Sequence, residues 1–221
     1  MAAEDGPFWP VPHNNSNEND VAQQWISVFY CPTRREPQGY GIAKFGRSDY
    51  AGCAGFYHGP PDGNVSFIPE APLGAPKAPT RSRTNGGLVK GRGGAIIWPR
   101  EFDKRSLVEI KDGLSHTIMF SEKALALTEH GVDGGDNERW NNTGWDEDAV
   151  RWHFPPKSEA ATYAPDRANG EDDNWNRYFG SSHYSVINAG LCDGSVPSYS
   201  FDIDALIWMN LCVIDDGATI R

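Results

Sequence analysis

The sequence predicts an α+β fold, mainly an antiparallel sheet with short helices and long loops. Three observations carry that expectation. "SVINAGLC" and "SVPSYSF" flank Asp193-Gly194, a pair favoured in tight hairpin turns. "SHTIMFSEK" reads as a further strand. The 24 glycines and 16 prolines among 221 residues imply many turns and short elements. The length and apolar content fit one domain with a real core.

Taken in order, residues 1–20 are rich in Pro and Asn and read as a mobile leader, docked by Phe8 and Trp9, ahead of a single domain over 21–221. "VAQQWISVFYCP" spaces Val21, Trp25, Val28 and Phe29 as on a helix, and Pro32 stops the run. A helical turn leading into an extended "SVFYC" is expected. A short strand is expected near Gly94 to Trp98, and the four prolines of residues 69–80 make an extended surface loop. A helical turn follows at Leu107 to Ile110, then a turn at Asp112-Gly113. A central strand is expected from His116 to Lys123, with Ile118 and Phe120 on one side and Thr117, Met119 and Ser121 on the other. Residues 129–178 form a polar loop carrying Trp140, Trp145, Trp152 and Trp175. The chain closes with a type I′ hairpin at Asp193-Gly194 and a short helix, "ALIWMNLC", capped by Asp204 and stapled by Ile203 and Trp208.

A formal charge of −10 disfavours nucleic acid and anionic membrane surfaces as partners. The charge is uneven, with basic residues between Arg81 and Arg105 and acidic ones between Asp133 and Asp173, a polarity that can orient subunits head to tail. No run of 18 apolar residues occurs, and "MAAEDGPFWPVPHNNSNEND" has neither a basic n-region nor an apolar h-region. Membrane insertion by this chain itself is therefore not expected. Cys31, Cys53, Cys192 and Cys212 lack the C-x-x-C spacing of a zinc or thioredoxin-like site. Pairing by proximity in sequence, Cys31 with Cys53 and Cys192 with Cys212, closes two loops worth roughly 3 kcal/mol each. The other reading is buried free thiols.

"HYSVINAGLCDG" raises a catalytic reading, with His183 ahead of Asp193. An extended chain at about 3.3 Å per residue separates the two by roughly 30 Å, too far to share a proton. A two-residue turn at 193 and 194 instead places His183 opposite Asp204, at the start of the last helix. Pro197 then faces Gly190 and cannot donate to the ladder, so a bulge is expected there. G-x-S-x-G, H-E-x-x-H, Walker A and G-x-G-x-x-G signatures are missing.

Read in order, "FYCPTRREP", "SDYAGCAG", "NGGLV", "VEIKDGLSHTIMFSEK" and "FGSSHYSVINAGLCDGSVPSYSFDIDALIWMNL" resemble the DUF1559 family, the prepilin-type H-X9-DG proteins abundant in planctomycetes and related bacteria. The resemblance runs from about Phe29 to Gly217. His183, Asp193 and Gly194 match the name-giving motif, and Asp112, Gly113, Ser115, Thr117 and Glu122 match a second one. The resemblance implies a pilin-like globular head, exported through a prepilin leader behind a membrane-spanning helix, as in type IV pilins and type II secretion pseudopilins. The 221 residues contain neither that apolar helix nor its cleavage site. An extracytoplasmic, oxidising location follows from the resemblance and favours disulfides.

The leading functional expectation is a non-enzymatic, pseudopilin-like assembly subunit at the cell surface or in the periplasm, partnered by other pilin-like subunits or by itself. The alternative is a glycan- or surface-ligand-binding module built on the loop 129–178, where Trp140, Trp145, Trp152 and Trp175 offer stacking faces and Arg151 a hydroxyl-binding group. Asp133, Asp136, Asn137, Asp146 and Asp148 supply oxygen ligands for a calcium ion, the one cofactor considered, although their spacing is not that of an EF-hand. A hydrolase built on His153 or His183 with a nearby carboxylate is the third reading.

Overall fold

The computed structural model describes residues 16–55, 93–96, 105–125, 127, 130–132, 135–141, 148–158 and 177–214. The Pro-rich stretch at 69–80, Trp98, Asp133, Trp145, Asp146 and Trp175 lie outside them. The elements run α1 (Ser16–Ala22), β1 (Tyr50–Cys53), β2 (Ile118–Glu122), β3 (Val150–Arg151), β4 (Lys157–Ser158), β5 (Gly180–Ser181), β6 (Val186–Leu191), β7 (Ser198–Ser200) and α2 (Ala205–Cys212). Single 3-10 turns occupy Ser27–Phe29, Leu107–Glu109 and Leu114–His116. Helix α1 begins ahead of Val21, where the sequence placed the start of the folded domain.

Five strands form one sheet in the order β3-β1-β2-β6-β7, and β4 and β5 make a separate parallel pair. Within the larger sheet only β1 and β3 run parallel; the other neighbours are antiparallel. The α+β expectation therefore holds, and β2 is the central strand. Helix α2 covers one face. Its Trp208 meets Phe179 and Tyr199 edge-on, at ring separations of 6.0 and 5.8 Å, among Ile118, Ile187, Leu191 and Leu211. Burying an aromatic side chain of this kind contributes about 1.5–3 kcal/mol through the hydrophobic effect.

Two sequence expectations fail in instructive ways. Strand β2 does not alternate cleanly, because its pairing to β6 shifts between Ile118, opposite Leu191, and Phe120, opposite Gly190. The extra residue of that bulge leaves Ile118 buried and Phe120 half-exposed, so the two do not share a face. The Phe120 ring lies across Gly190, where a Cβ would sit 2.7 Å from it, so a larger residue there displaces the half-exposed ring.

The hairpin turn is the second. Gly194 N–H donates to Leu191 O at 3.0 Å and Leu191 N–H to Ser195 O at 2.9 Å, which makes a loop of Cys192, Asp193 and Gly194. Gly194 has φ of 88°, whereas Asp193 is not among the positive-φ residues, so this is not a type I′ turn but a three-residue loop closed by a left-handed glycine. The third loop residue moves the register by one, to Val186 opposite Ser200 and Asn188 opposite Ser198. Ala189, not Gly190, then faces Pro197, whose carbonyl accepts from Ala189 N–H at 3.2 Å. Asp204 caps α2 as expected, its Oδ1 accepting from Leu206 and Ile207 N–H at 2.9 and 3.1 Å. Its hydrogen bonds go to the helix and those of His183 go elsewhere.

Candidate functional site

His183 turns instead toward the middle of the sheet. The tight "GSSH" segment brings it back, with its N–H donating to Ser181 Oγ at 3.0 Å. Its Nε2 lies 3.1 Å from Glu122 Oε1, 3.0 Å from Asn188 Nδ2 and 3.7 Å from Cys31 Sγ, and its Nδ1 lies 3.1 Å from Thr33 Oγ1. The histidine of one sequence motif thus meets the glutamate of the other, and both meet the cysteine of "CPTRRE". Glu122 is only 1% exposed, while the His183 side chain keeps 26% of its surface open to solvent.

Each partner is held from behind. Cys31 N–H donates to Asp49 Oδ2 at 2.7 Å, and the second Glu122 oxygen accepts from Asn188 N–H at 2.9 Å. Asn188 Oδ1 accepts from Ser198 Oγ at 2.7 Å. Burial pushes the Cys31 thiol above its ordinary range, and the hydrogen bond to Glu122 adds to that. That favours the protonated thiol over the thiolate. A nucleophile-base relay sets the carboxylate on one ring nitrogen and the nucleophile on the other. Here Cys31 and Glu122 converge on the same nitrogen.

Beside this cluster runs a buried ionic network. Arg34 donates to the carbonyls of Asp49, Lys123 and Gly180 at 3.2, 2.5 and 3.2 Å, tying three strand ends together. Arg35 forks onto Asp136 at 2.6 and 2.8 Å, lies 2.6 Å from Asp49, and stacks its guanidinium on Tyr40 at 4.9 Å. Burial by itself would raise the Asp136 carboxyl, but the Arg35 hydrogen bonds and the Lys123 charge hold it below the ordinary carboxylate value. Lys123 is fully buried and its ammonium is pushed by burial down to about 8. It donates to Gly135 O at 2.9 Å and Asp148 O at 3.2 Å.

Several predicted roles are corrected by these contacts. Cys31, Cys53, Cys192 and Cys212 are all free thiols, and neither proposed pair forms. Strand β1 carries Cys53 into the core beside Cys212, to whose carbonyl it donates at 3.4 Å, while Cys31 faces the histidine on the other side. Asp136 is taken up by Arg35 and Lys123, and Asp148 Oδ1 accepts from Glu138 N–H at 3.3 Å. Asn137 is exposed. Arg151 and Trp152 are buried, the guanidinium donating to Tyr178 O and Gly135 O, and neither offers a face to a sugar. Trp140 packs on Phe29 at 5.2 Å and donates to Gln24 O; beside it lies a cavity of about 200 Å³ lined also by Tyr50, Lys123, Arg139 and Asp148. His153 is buried against Phe154, at a ring separation of 4.7 Å.

Asp193 and Gly113 do local work. Asp193 Oδ1 accepts from Ser195 N–H and Oγ–H at 2.9 and 2.6 Å, and Gly113, at φ of 99°, starts the turn before β2 with its carbonyl accepting from Thr117 Oγ1. Asp112 N–H reaches Ile214 O at 3.3 Å. Sequence reasoning missed Thr33, Arg34, Arg35, Asp49 and Asn188 as site residues. The signal was present in "FYCPTRREP", where two consecutive arginines follow a cysteine within four residues.

A small mixed sheet braced by internal ion pairs, in which two separated motifs meet at one buried carboxylate, is the class of protein that fold and site define. The family model described as "Protein of unknown function (DUF1559)" matches residues 2–206, and the chain belongs to that family. No curated protein and no solved structure matches the chain. Among the described residues no helix is long and apolar enough to cross a membrane.

Proposed function

We propose that this chain is the globular part of a non-enzymatic, pseudopilin-like subunit that acts in assembly outside the cytoplasm. One observation carries the reading: the residues of both family motifs are engaged in bracing the sheet. Glu122 joins β2 to β6 through Asn188 and holds His183, Gly194 closes the β6–β7 hairpin, and Gly113 sets the entry to β2. Such use of motif residues suits a rigid building block better than a reaction centre. The terminal strand β7 supports it further, since the outer edge of a sheet is a surface on which another chain can add.

The experiment is made on native cells. An epitope-tagged full-length gene product is fractionated, shaved with protease on intact cells and cross-linked. The expected result is protease sensitivity without lysis and cross-linked ladders containing this chain. A protected, monomeric protein in the cytosolic fraction contradicts the proposal.

A further inference from the structure

We infer that Cys31, Glu122 and His183 form a binding site for a single first-row divalent cation, with zinc as the natural occupant. The three donor atoms, a sulfur, a carboxylate oxygen and an imidazole nitrogen, all lie within 4.8 Å of one another. Zinc bonds of about 2.0–2.3 Å place neighbouring donors of a tetrahedron roughly 3.3–3.7 Å apart. The nitrogen-oxygen and nitrogen-sulfur separations of 3.1 and 3.7 Å sit close to that range. The remaining edge, sulfur to oxygen, lies within the same 4.8 Å.

Nε2 is the crowded point of the cluster. Nε2 carries either one proton or one lone pair, yet Cys31 Sγ, Glu122 Oε1 and Asn188 Nδ2 all converge on it. A cation at their centre meets the sulfur, oxygen and nitrogen lone pairs at once. Asn188 accommodates it: Ser198 Oγ accepts a hydrogen bond as readily as it donates one, so turning the amide keeps that bond and presents Oδ1 as a fourth donor.

The surroundings are those of a metal ligand set. The other ring nitrogen of a metal-bound histidine ordinarily bonds a neighbour that fixes the tautomer, and Thr33 Oγ1 stands 3.1 Å from Nδ1. The second oxygen of Glu122 is held by Asn188 N–H, which aims the first into the site. Charge also balances: the Cys31 thiol gives up its proton to solvent as the metal binds, and the glutamate and the resulting thiolate neutralise a divalent cation, while the nearby Arg34 is paired with Asp49 at 3.4 Å. Sulfur and imidazole select zinc, cobalt or copper over calcium and magnesium. The partial exposure of His183 leaves a path for entry.

The test uses the purified chain, stripped with dipicolinate under reducing conditions and titrated with cobalt and then zinc. One equivalent of cobalt is expected to give a thiolate-to-metal charge-transfer band that zinc abolishes. Cys31→Ser is expected to remove the band and Cys192→Ser to leave it. Thr33→Val, which removes only the positioning contact, is expected to keep the band and weaken zinc binding about 10–100-fold. The wild-type spectrum decides even where a variant does not fold: absence of a thiolate band overturns the proposal, as does a band that survives Cys31→Ser.

Discussion

Asp136 shows how much one side chain can carry. Its carboxylate takes both prongs of Arg35, faces Lys123 at 3.9 Å and accepts from Gly131 N–H at 2.7 Å, while its own carbonyl accepts from Arg47 Nε at 2.8 Å. Removing one member of a buried ion pair leaves the others uncompensated, at a cost of about 3–5 kcal/mol. Asp136→Ala is therefore expected to lose stability on that scale, measured by urea denaturation. A loss below about 1 kcal/mol, the range of exposed pairs, would mean that solvent already screens the network. The sequence showed this aspartate only as one of many acids in a polar loop. Nothing in local spacing reports that a residue at 136 faces arginine at 35, because the contact depends on how the loop returns to the sheet.

At the scale of elements, the hairpin is where sequence reasoning came nearest and then slipped. Asp193-Gly194 does turn the chain, but as the end of a three-residue loop that shifts the register by one, and His183 lies outside the ladder, turned back by the "GSSH" segment. Gly194 is a clean probe of that turn, since a Cβ there meets nothing within 4 Å and only its φ of 88° opposes substitution. Gly194→Ala is expected to cost about 1–2 kcal/mol, the penalty of a left-handed L-residue, with Gly194→Asn costing less. Thermal denaturation of the two variants checks both the size and the order. An alanine variant as stable as the parent would show that the loop relaxes into a different turn. The cap at Asp204 and the central place of β2 were legible because each rests on a few adjacent residues. The bulge in β2 was not, because it arises from pairing with β6.

For the whole molecule, alkali is the informative axis. Burial raises the Cys192 thiol from 9.0 to about 11 and the Tyr50 phenol from 10.0 to about 12. Each group keeps its proton longer folded than unfolded, so the stability it contributes is complete below the ordinary value and lost as pH climbs through the raised one. Lys123 acts oppositely. Its folded value of about 8 lies below the ordinary 10.5, so the unfolded chain binds the extra proton and stability rises across that interval. The two effects offset one another until Lys123 is spent. Above about pH 10.5 only the loss remains, and the urea midpoint at pH 11.5 is expected to fall below that at pH 10. A midpoint that continues to rise there would place the tyrosine and cysteine side chains in water.

The amino-acid sequence by itself determined the α+β class, the central strand, the last hairpin and helix, and the family, because these rest on short-range periodicity, turn chemistry and ordered motifs. Tertiary structure alone decided that Cys31, Glu122 and His183 meet, that the cysteines stay unpaired and that the acidic loop serves a buried arginine. The physical reason is range. Periodicity and capping act over a few residues, whereas these contacts join positions that come within reach only after β1, β2 and β6 have paired.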